Sequence, residues 1–137
     1  PESCKTREPP GTVEVLARAG RLLAGADHPA AYDHLTKYRD LIAGLVEGQV
    51  FLARATLGAV QTPGEAEPAA LAAVKLCDCA LAHDVLGDVH RAEEKLDAAA
   101  GDWLSASQRE PDWFPPLAKV VDLELARDGL IGHSSSL

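Results

Sequence analysis

The amino-acid sequence predicts an all-α fold: a five-helix bundle with a long antiparallel helix hairpin and a repeat-like C-terminal helical pair. Three observations predict it. Apolar residues recur at intervals of three and four over most of the chain. Proline and glycine interrupt that pattern at only a few points. No stretch shows the convincing period of two that an exposed β-strand requires.

Length and composition predict one globular domain. The chain has 137 residues, of which 47% are hydrophobic and 25% charged, which is typical of a folded domain with a single core. Residues 1–11 are polar and rich in proline, and predict a flexible arm. Residues 130–137 predict a frayed tail. The helical domain is therefore expected over 12–129.

Five helices account for the pattern within this domain. Thr12 is the expected N-cap of the first helix, and Gly25 its C-terminal stop. The second helix is predicted to be long, because its apolar seam runs unbroken from Leu35 to Ala59. The third has a similar length, so the two are expected to form the hairpin. The predicted helices are about 12–24, 29–59, 68–95, 97–108 and 114–129.

Charge limits the classes of partner. The chain carries 13 basic and 21 acidic side chains, a net charge of -8, which argues against nucleic-acid binding because phosphate recognition needs clustered cations. No apolar run approaches the ~20 residues of a membrane span. Residues 1–66 carry 7 basic and 8 acidic groups, whereas residues 67–137 carry 6 and 13. The acidic second half favours a basic protein partner.

Cysteine usage and composition predict where the protein works. Cys4, Cys77 and Cys79 are an odd number, and two residues spaced by two on one helix point in different directions. Reduced thiols in a cytoplasmic protein are expected. The chain has 24 alanines and no methionine, a bias typical of a GC-rich bacterial genome.

The region 80–113 carries a recognisable spacing of small and large residues. Its members are Leu86, Gly87, His90, Ala99, Trp103, Ala106 and Pro111. This spacing resembles one tetratricopeptide repeat, a helix-turn-helix unit of about 34 residues. His90 stands where that family usually has an aromatic residue. No upstream unit is predicted, because a step of one repeat length backwards puts Pro63 and Gly64 inside the second helix that such a unit would need.

The resemblance implies a groove-lining surface. Asp84, Asp88 and Arg91 occupy the positions that face the groove in that family. Members that bind a peptide carboxylate use Lys, Arg and Asn there, so two acidic residues make that ligand unexpected. Separately, Trp113 and Phe114 form an aromatic pair that could anchor a partner.

Two chemical alternatives compete with this interpretation. Cys79 and His83 lie at i and i+4 on the expected third helix and could bind zinc or copper. Arg127 and His133 resemble the Arg/His motif of the HEPN ribonucleases, in which Arg steadies phosphate and His serves acid–base chemistry.

The sequence therefore predicts a non-catalytic protein-protein interaction module, either an adaptor or a self-associating protein. Its partner-binding residues are predicted to be Asp84, Asp88, Arg91, Trp113 and Phe114. No cofactor, nucleic acid or membrane is expected, and self-association into a homo-oligomer is one form that the interaction could take. The alternatives are the HEPN-like ribonuclease, with Arg127 and His133, and the metal-binding bundle, with Cys79 and His83.

Overall fold

The computed structural model describes residues 11–135, with side chains through Arg127, and its regular structure over that range is entirely helical. This confirms the predicted all-α class. Its helices are α1 (Thr12–Ala24), α2 (His28–Lys37), α3 (Arg39–Ile42), α4 (Val46–Ala59), α5 (Glu67–Leu76), α6 (Ala80–Ala92), α7 (Leu96–Arg109) and α8 (Pro115–Ser135). A 3-10 turn over Pro63–Ala66 lies between α4 and α5.

The first helices of successive helix pairs recur along the chain every 34 residues, a spacing that we call the repeat interval, and α8 begins one residue beyond it. The first helices of three successive units, α1, α4 and α6, begin at Thr12, Val46 and Ala80, and α8 begins at Pro115. Ala26 and Glu94, at equivalent positions in the turns of the first and third units, share a left-handed backbone with φ of 59° and 63°. Residues 11–135 therefore contain three helical units and one further helix, α8, in the position of the first helix of a fourth.

The two helices of each unit pack against each other, and the first helices also pack against each other, α1 on α4 and α4 on α6. Two sets of buried residues recur at the repeat interval: Ala19, Ala53 and Gly87 in first helices, and Leu35, Ala69 and Trp103 in second helices. Small residues in the first set let the paired helices approach closely. Among the described helices, none combines the length and apolar composition needed to cross a bilayer.

The predicted long second helix is wrong in detail, because the chain turns twice within it. Tyr38 leaves the helical conformation, with φ -108° and ψ 26°, and Leu45 is extended, with φ -110° and ψ 131°. A Cβ on Gly48 would lie 2.6 Å from the backbone oxygen of Ile42, so glycine permits this turn. The apolar spacing continued across the turns because α2 and α4 present their apolar faces to the same core.

The predicted third helix is also divided. Cys77 and Cys79 have extended backbones between α5 and α6, and the structure pairs them in a disulfide. The expectation of reduced thiols assumed a continuous helix, in which the two side chains point apart; the extended backbone removes that obstacle. The expected long hairpin is therefore the second helix of the first unit, the complete second unit and the first helix of the third unit.

The prediction that no unit lies upstream of residues 80–113 is wrong, because the chain turns between α4 and α5. Since α4 ends at Ala59, Pro63 and Gly64 lie in the 3-10 turn between α4 and α5 and interrupt no helix. At the ends of the chain, α8 runs past Gly129 to Ser135, into the segment predicted as a tail. The predicted arm lies outside the described residues except for Gly11.

Replacement of Gly87 by alanine tests the close packing of α6 on α7. A Cβ at this position would collide with the indole ring of Trp103, which is 3% exposed and donates a hydrogen bond to Asp88. Because the ring cannot move aside freely, Gly87→Ala is expected to lower the free energy of unfolding by about 1–3 kcal/mol, measured by urea denaturation.

Gly101→Ala is the matched control, since it adds a methyl group to helix α7 where no neighbouring atom lies within 4 Å. It is expected to raise the free energy of unfolding by about 0.5–1 kcal/mol. Equal effects of the two substitutions would contradict the packing described for Gly87.

Candidate functional site

The candidate site is the face on which charged side chains of α4, α6 and α8 meet. Four charged residues of three helices meet there: Arg54 from α4, Asp84 and Asp88 from α6, and Lys119 from α8. We call them the ionic cluster. Arg54 and Asp88 are separated by one repeat interval and so occupy equivalent positions in successive units.

Each carboxylate of the ionic cluster is paired with both cations. Arg54 donates to Asp84 at 2.9 Å and to Asp88 at 2.8 Å. The Nζ of Lys119 donates to both oxygens of Asp84 at 3.0 Å and to Oδ2 of Asp88 at 3.1 Å. The indole Nε1 of Trp103 donates to Asp88 at 3.2 Å, which links the cluster to α7.

Burial makes these contacts necessary. Asp84 is 1% exposed, and an ionised carboxylate removed from water is costly unless cations and hydrogen bonds compensate it. The side chains of Arg54 and Lys119 are 33% and 31% exposed, so the cations form the solvent side of the cluster. The carboxylates lie beneath them.

Two clefts flank Asp88 on this face. One, of about 340 Å³, is lined by Leu23, His28, Arg54, Leu57, Gly58 and Asp88. The other, of about 280 Å³, is lined by Asp88, Arg91, Trp103, Lys119, Asp122 and Leu123. Each cleft joins apolar side chains to a few charged groups, a composition suited to holding a ligand segment.

The predicted site residues are only partly brought together. Asp84, Asp88 and Arg91 share the face, but Asp84 is buried and neutralised, so it offers little to a partner; Arg91 is exposed at the second cleft. Trp113 and Phe114 lie at the α7–α8 turn and line neither cleft.

Sequence reasoning missed Arg54 and Lys119, which neutralise the carboxylates. The signal for Arg54 was its separation from Asp88 by one repeat interval, which becomes informative once an upstream unit is recognised. Lys119 carries no such signal, because it is not separated from Arg54 or Asp88 by a whole number of repeat intervals.

The predicted metal site at Cys79 and His83 lacks a thiolate ligand, because Cys79 is joined to Cys77 in a disulfide. His83 instead contacts Asp78, with Nε2 at 2.6 Å from Oδ1, and Arg109 donates to the same oxygen at 3.0 Å. Hydrogen bonds from His83 and then Arg109 lower the pKa of Asp78 below its ordinary value. This group is an ion-paired surface carboxylate.

The ribonuclease alternative is not supported by the surroundings of Arg127. Its guanidinium lies 2.8 Å from Asp97 and 3.7 Å from Glu124, and so is paired within the chain. His133 lies in α8, beyond the residues whose side chains are described.

Comparison with known proteins identifies the fold. The first TPR domain of the human RPAP3 protein, solved by NMR, is similar to this chain with a TM-score of 0.75. The two are 20% identical, and the alignment covers 91% of this chain and 96% of that one. No protein-family model and no curated protein matches the sequence.

The fold is therefore that of a tetratricopeptide domain. The resemblance of residues 80–113 to one such repeat is confirmed, and the fold extends over most of the chain. The three helical units and the helix α8 described above match that architecture, in which helix pairs stack and each contacts its neighbours.

Replacement of Asp84 by alanine tests the ionic cluster. The substitution leaves Arg54 and Lys119 facing each other without their shared buried anion. The expected loss in free energy of unfolding is about 2–3 kcal/mol, below the range for a fully buried pair because both cations are a third exposed. Urea denaturation at neutral pH measures it.

Asp97→Ala is the matched control, because Asp97 pairs with Arg127 at 2.8 Å but its side chain is 96% exposed. Its effect on the free energy of unfolding is expected to stay within about 0.5 kcal/mol. An equally small change in the free energy of unfolding for Asp84→Ala would contradict the proposed role of the ionic cluster in holding α4, α6 and α8 together.

Proposed function

We propose that this protein is a protein-protein interaction module that holds a segment of a partner protein across the face formed by α4, α6 and α8. The observation that supports the proposal is the tetratricopeptide fold together with two clefts on the face where first helices of successive units meet. Extended surfaces of this kind are what stacked helical units offer to partners.

Equivalent positions on this face give the partner a regular row of contacts. Arg54, Asp88 and Asp122 succeed one another at the repeat interval, so the second unit, the third unit and α8 each contribute one charged side chain to the row. Apolar anchors of the partner fit the clefts beside Leu57 and Trp103. Hydrogen bonds from the charged side chains that lie between the two clefts fix the direction of the bound segment.

The charge of the partner follows from the chain as a whole. The ionic cluster balances its own charges, so a preference for a basic partner arises from the 13 acidic groups of residues 67–137 acting at long range. A basic partner would bind with a rate that falls as salt rises. A cytoplasmic location and a bacterial source stay predictions from composition.

Site-specific photo-crosslinking tests this function. A photo-reactive amino acid replaces Arg91, which is exposed at the second cleft, or Leu104, which is 44% exposed on α7 and lines neither cleft. The same partner is expected to be captured repeatedly from position 91, with lower yield at higher salt.

Position 104 serves as the control and is expected to give no adduct with that partner. A subsequent affinity measurement with the purified partner should show a loss of about tenfold or more for Asp122→Ala and Arg91→Ala, a size typical of contacts at an interface centre. Capture of the partner from position 104 alone would contradict binding at this face.

Self-association is a second candidate function, favoured by an apolar stripe on α8. Phe114, Leu117, Val121 and Leu125 are spaced by three and four, which places them on one side of the helix, and they are 68%, 40%, 48% and 63% exposed. Pro116 and Leu123, on the opposite side, are buried. We call the four exposed residues the α8 stripe.

The register of the stripe indicates what covers it. Val121 stands one repeat interval after Gly87, the residue that packs against Trp103 of the second helix in its unit. The stripe therefore occupies the positions that pair a first helix with its second helix. A second copy of the chain that presents its own α8 would bury both stripes in a symmetric contact.

Light scattering coupled to size exclusion tests self-association. The wild-type protein is expected to show a mass that rises from 14.4 kDa towards twice that value as concentration increases. Val121→Glu places a charge in the contact and is expected to hold the protein at the monomer mass.

The matched control is Leu71→Glu, because Leu71 is 48% exposed on α5, outside the stripe. It is expected to leave the concentration dependence unchanged. A wild-type mass that stays at 14.4 kDa throughout the concentration series would refute self-association through α8.

A further inference from the structure

A group of metal-ligating side chains lies at the junction of the second and third units, away from the ionic cluster. Glu67 is the first residue of α5, His90 is in the last turn of α6, and Glu93 directly follows α6. One ligand atom from each of the three lies within 4.8 Å of the other two. His90 and Glu93 are neighbours at the end of α6, and packing of the second unit on the third brings Glu67 to them.

The spacing is close to that of a coordination sphere. When three atoms are at most 4.8 Å apart, some point lies within roughly 2.8 Å of all three, and zinc–nitrogen and zinc–oxygen bonds are about 2.0–2.2 Å. A closure of less than about 1 Å by each side chain reaches bonding distance. Glutamate, with three rotatable bonds, can make this adjustment without a change of backbone.

A fourth residue orients the histidine. The Nδ1 of His90 lies 2.5 Å from Oδ2 of Asp102 on α7, and both side chains are more than four-fifths buried. When Nδ1 donates this hydrogen bond, Nε2 carries the free lone pair and is the nitrogen available to a metal. Histidine ligands of zinc are commonly held in this way by a carboxylate behind the ring.

The carboxylate of Glu93 lacks a full set of partners. Oε1 of Glu93 is buried without a hydrogen-bond partner among the described residues. Lys95 contacts both glutamates only at 3.6 Å, and its side chain is 51% exposed. The side chain of Glu93 is only 13% exposed, and a carboxylate at this degree of burial is costly unless cations or hydrogen bonds compensate its charge. Lys95 can turn to solvent and leave the two glutamates to a divalent cation.

From this geometry we propose that Glu67, His90 and Glu93 form a binding site for one zinc ion, with Asp102 as the positioning residue for His90. One imidazole nitrogen and two carboxylate oxygens suit zinc, and water completes the tetrahedral coordination. The ion would tie α5 of the second unit to α6 and to the turn that follows it in the third. Its binding is therefore expected to stabilise the stack.

Titration calorimetry with zinc chloride tests the site on protein that has been treated with a chelator and dialysed without reductant. One equivalent of zinc is expected to bind the full chain and to raise its melting temperature. His90→Gln and Glu67→Gln, on different helices, are each expected to abolish the stoichiometric binding. Asp102→Asn is expected to weaken it about 10–100-fold, as loss of an orienting partner does.

Two controls separate this site from the other candidates for metal binding. His83→Gln removes the histidine paired with Asp78, and a Cys77→Ser/Cys79→Ser double variant removes both sulfur ligands; both are expected to bind zinc like the wild type. Circular dichroism verifies that each variant remains helical. Absence of zinc binding by the wild type, or undiminished binding by both His90→Gln and Glu67→Gln, would overturn the proposal.

Discussion

The arrangement of the second unit, the third unit and α8 depends on the compensation of one buried carboxylate. Asp84 lies in the interior of the stack, and its negative charge is neutralised by Arg54 from the preceding unit and Lys119 from the following helix. If either neighbour shifted, the carboxylate would be left in a low-dielectric environment without a partner, at a cost of several kcal/mol. A buried group of ion pairs adds little net stability compared with apolar side chains of similar size. It instead raises the free energy of any other alignment of these helices, because the carboxylate would then lack its cations.

The same constraint shapes the proposed binding face. Because the carboxylates are drawn into the interior, Arg54 and Lys119 lie across them, and the two clefts open on either side of Asp88. Asp88 accepts a hydrogen bond from Trp103 as well, so the position of the indole in the second cleft is tied to the ionic cluster. A partner segment would thus meet a preorganised surface, which reduces the entropy lost on binding.

The helical class and one complete unit could be predicted from the sequence, but the number of units could not. In residues 80–113 the residues of close contact, Gly87 and Trp103, differ strongly in size from their neighbours, so the pattern was visible. In the upstream units the equivalent positions hold alanine and leucine, which are common throughout the chain and carry little information. The breaks at Tyr38 and Cys77 were hidden because the apolar period continued across them.

The candidate site was less predictable than the fold, for a physical reason. Asp84 and Asp88 stand on one helix face and could be located by spacing, whereas their cations come from helices far away along the chain. Whether a carboxylate is a free ligand or a neutralised interior group depends on such distant partners. The same is true of Glu67 and Asp102, which meet His90 only in the packed stack.

A double-mutant cycle on Asp84 and Lys119 tests most directly whether the ionic cluster joins the units. The free energy of unfolding is measured for the wild type, Asp84→Ala, Lys119→Met and the double variant. The two residues contact each other at 3.0 Å across α6 and α8, and the account predicts a coupling of about 1–2 kcal/mol. A coupling within about 0.3 kcal/mol of zero, the range of additive sites, would contradict it.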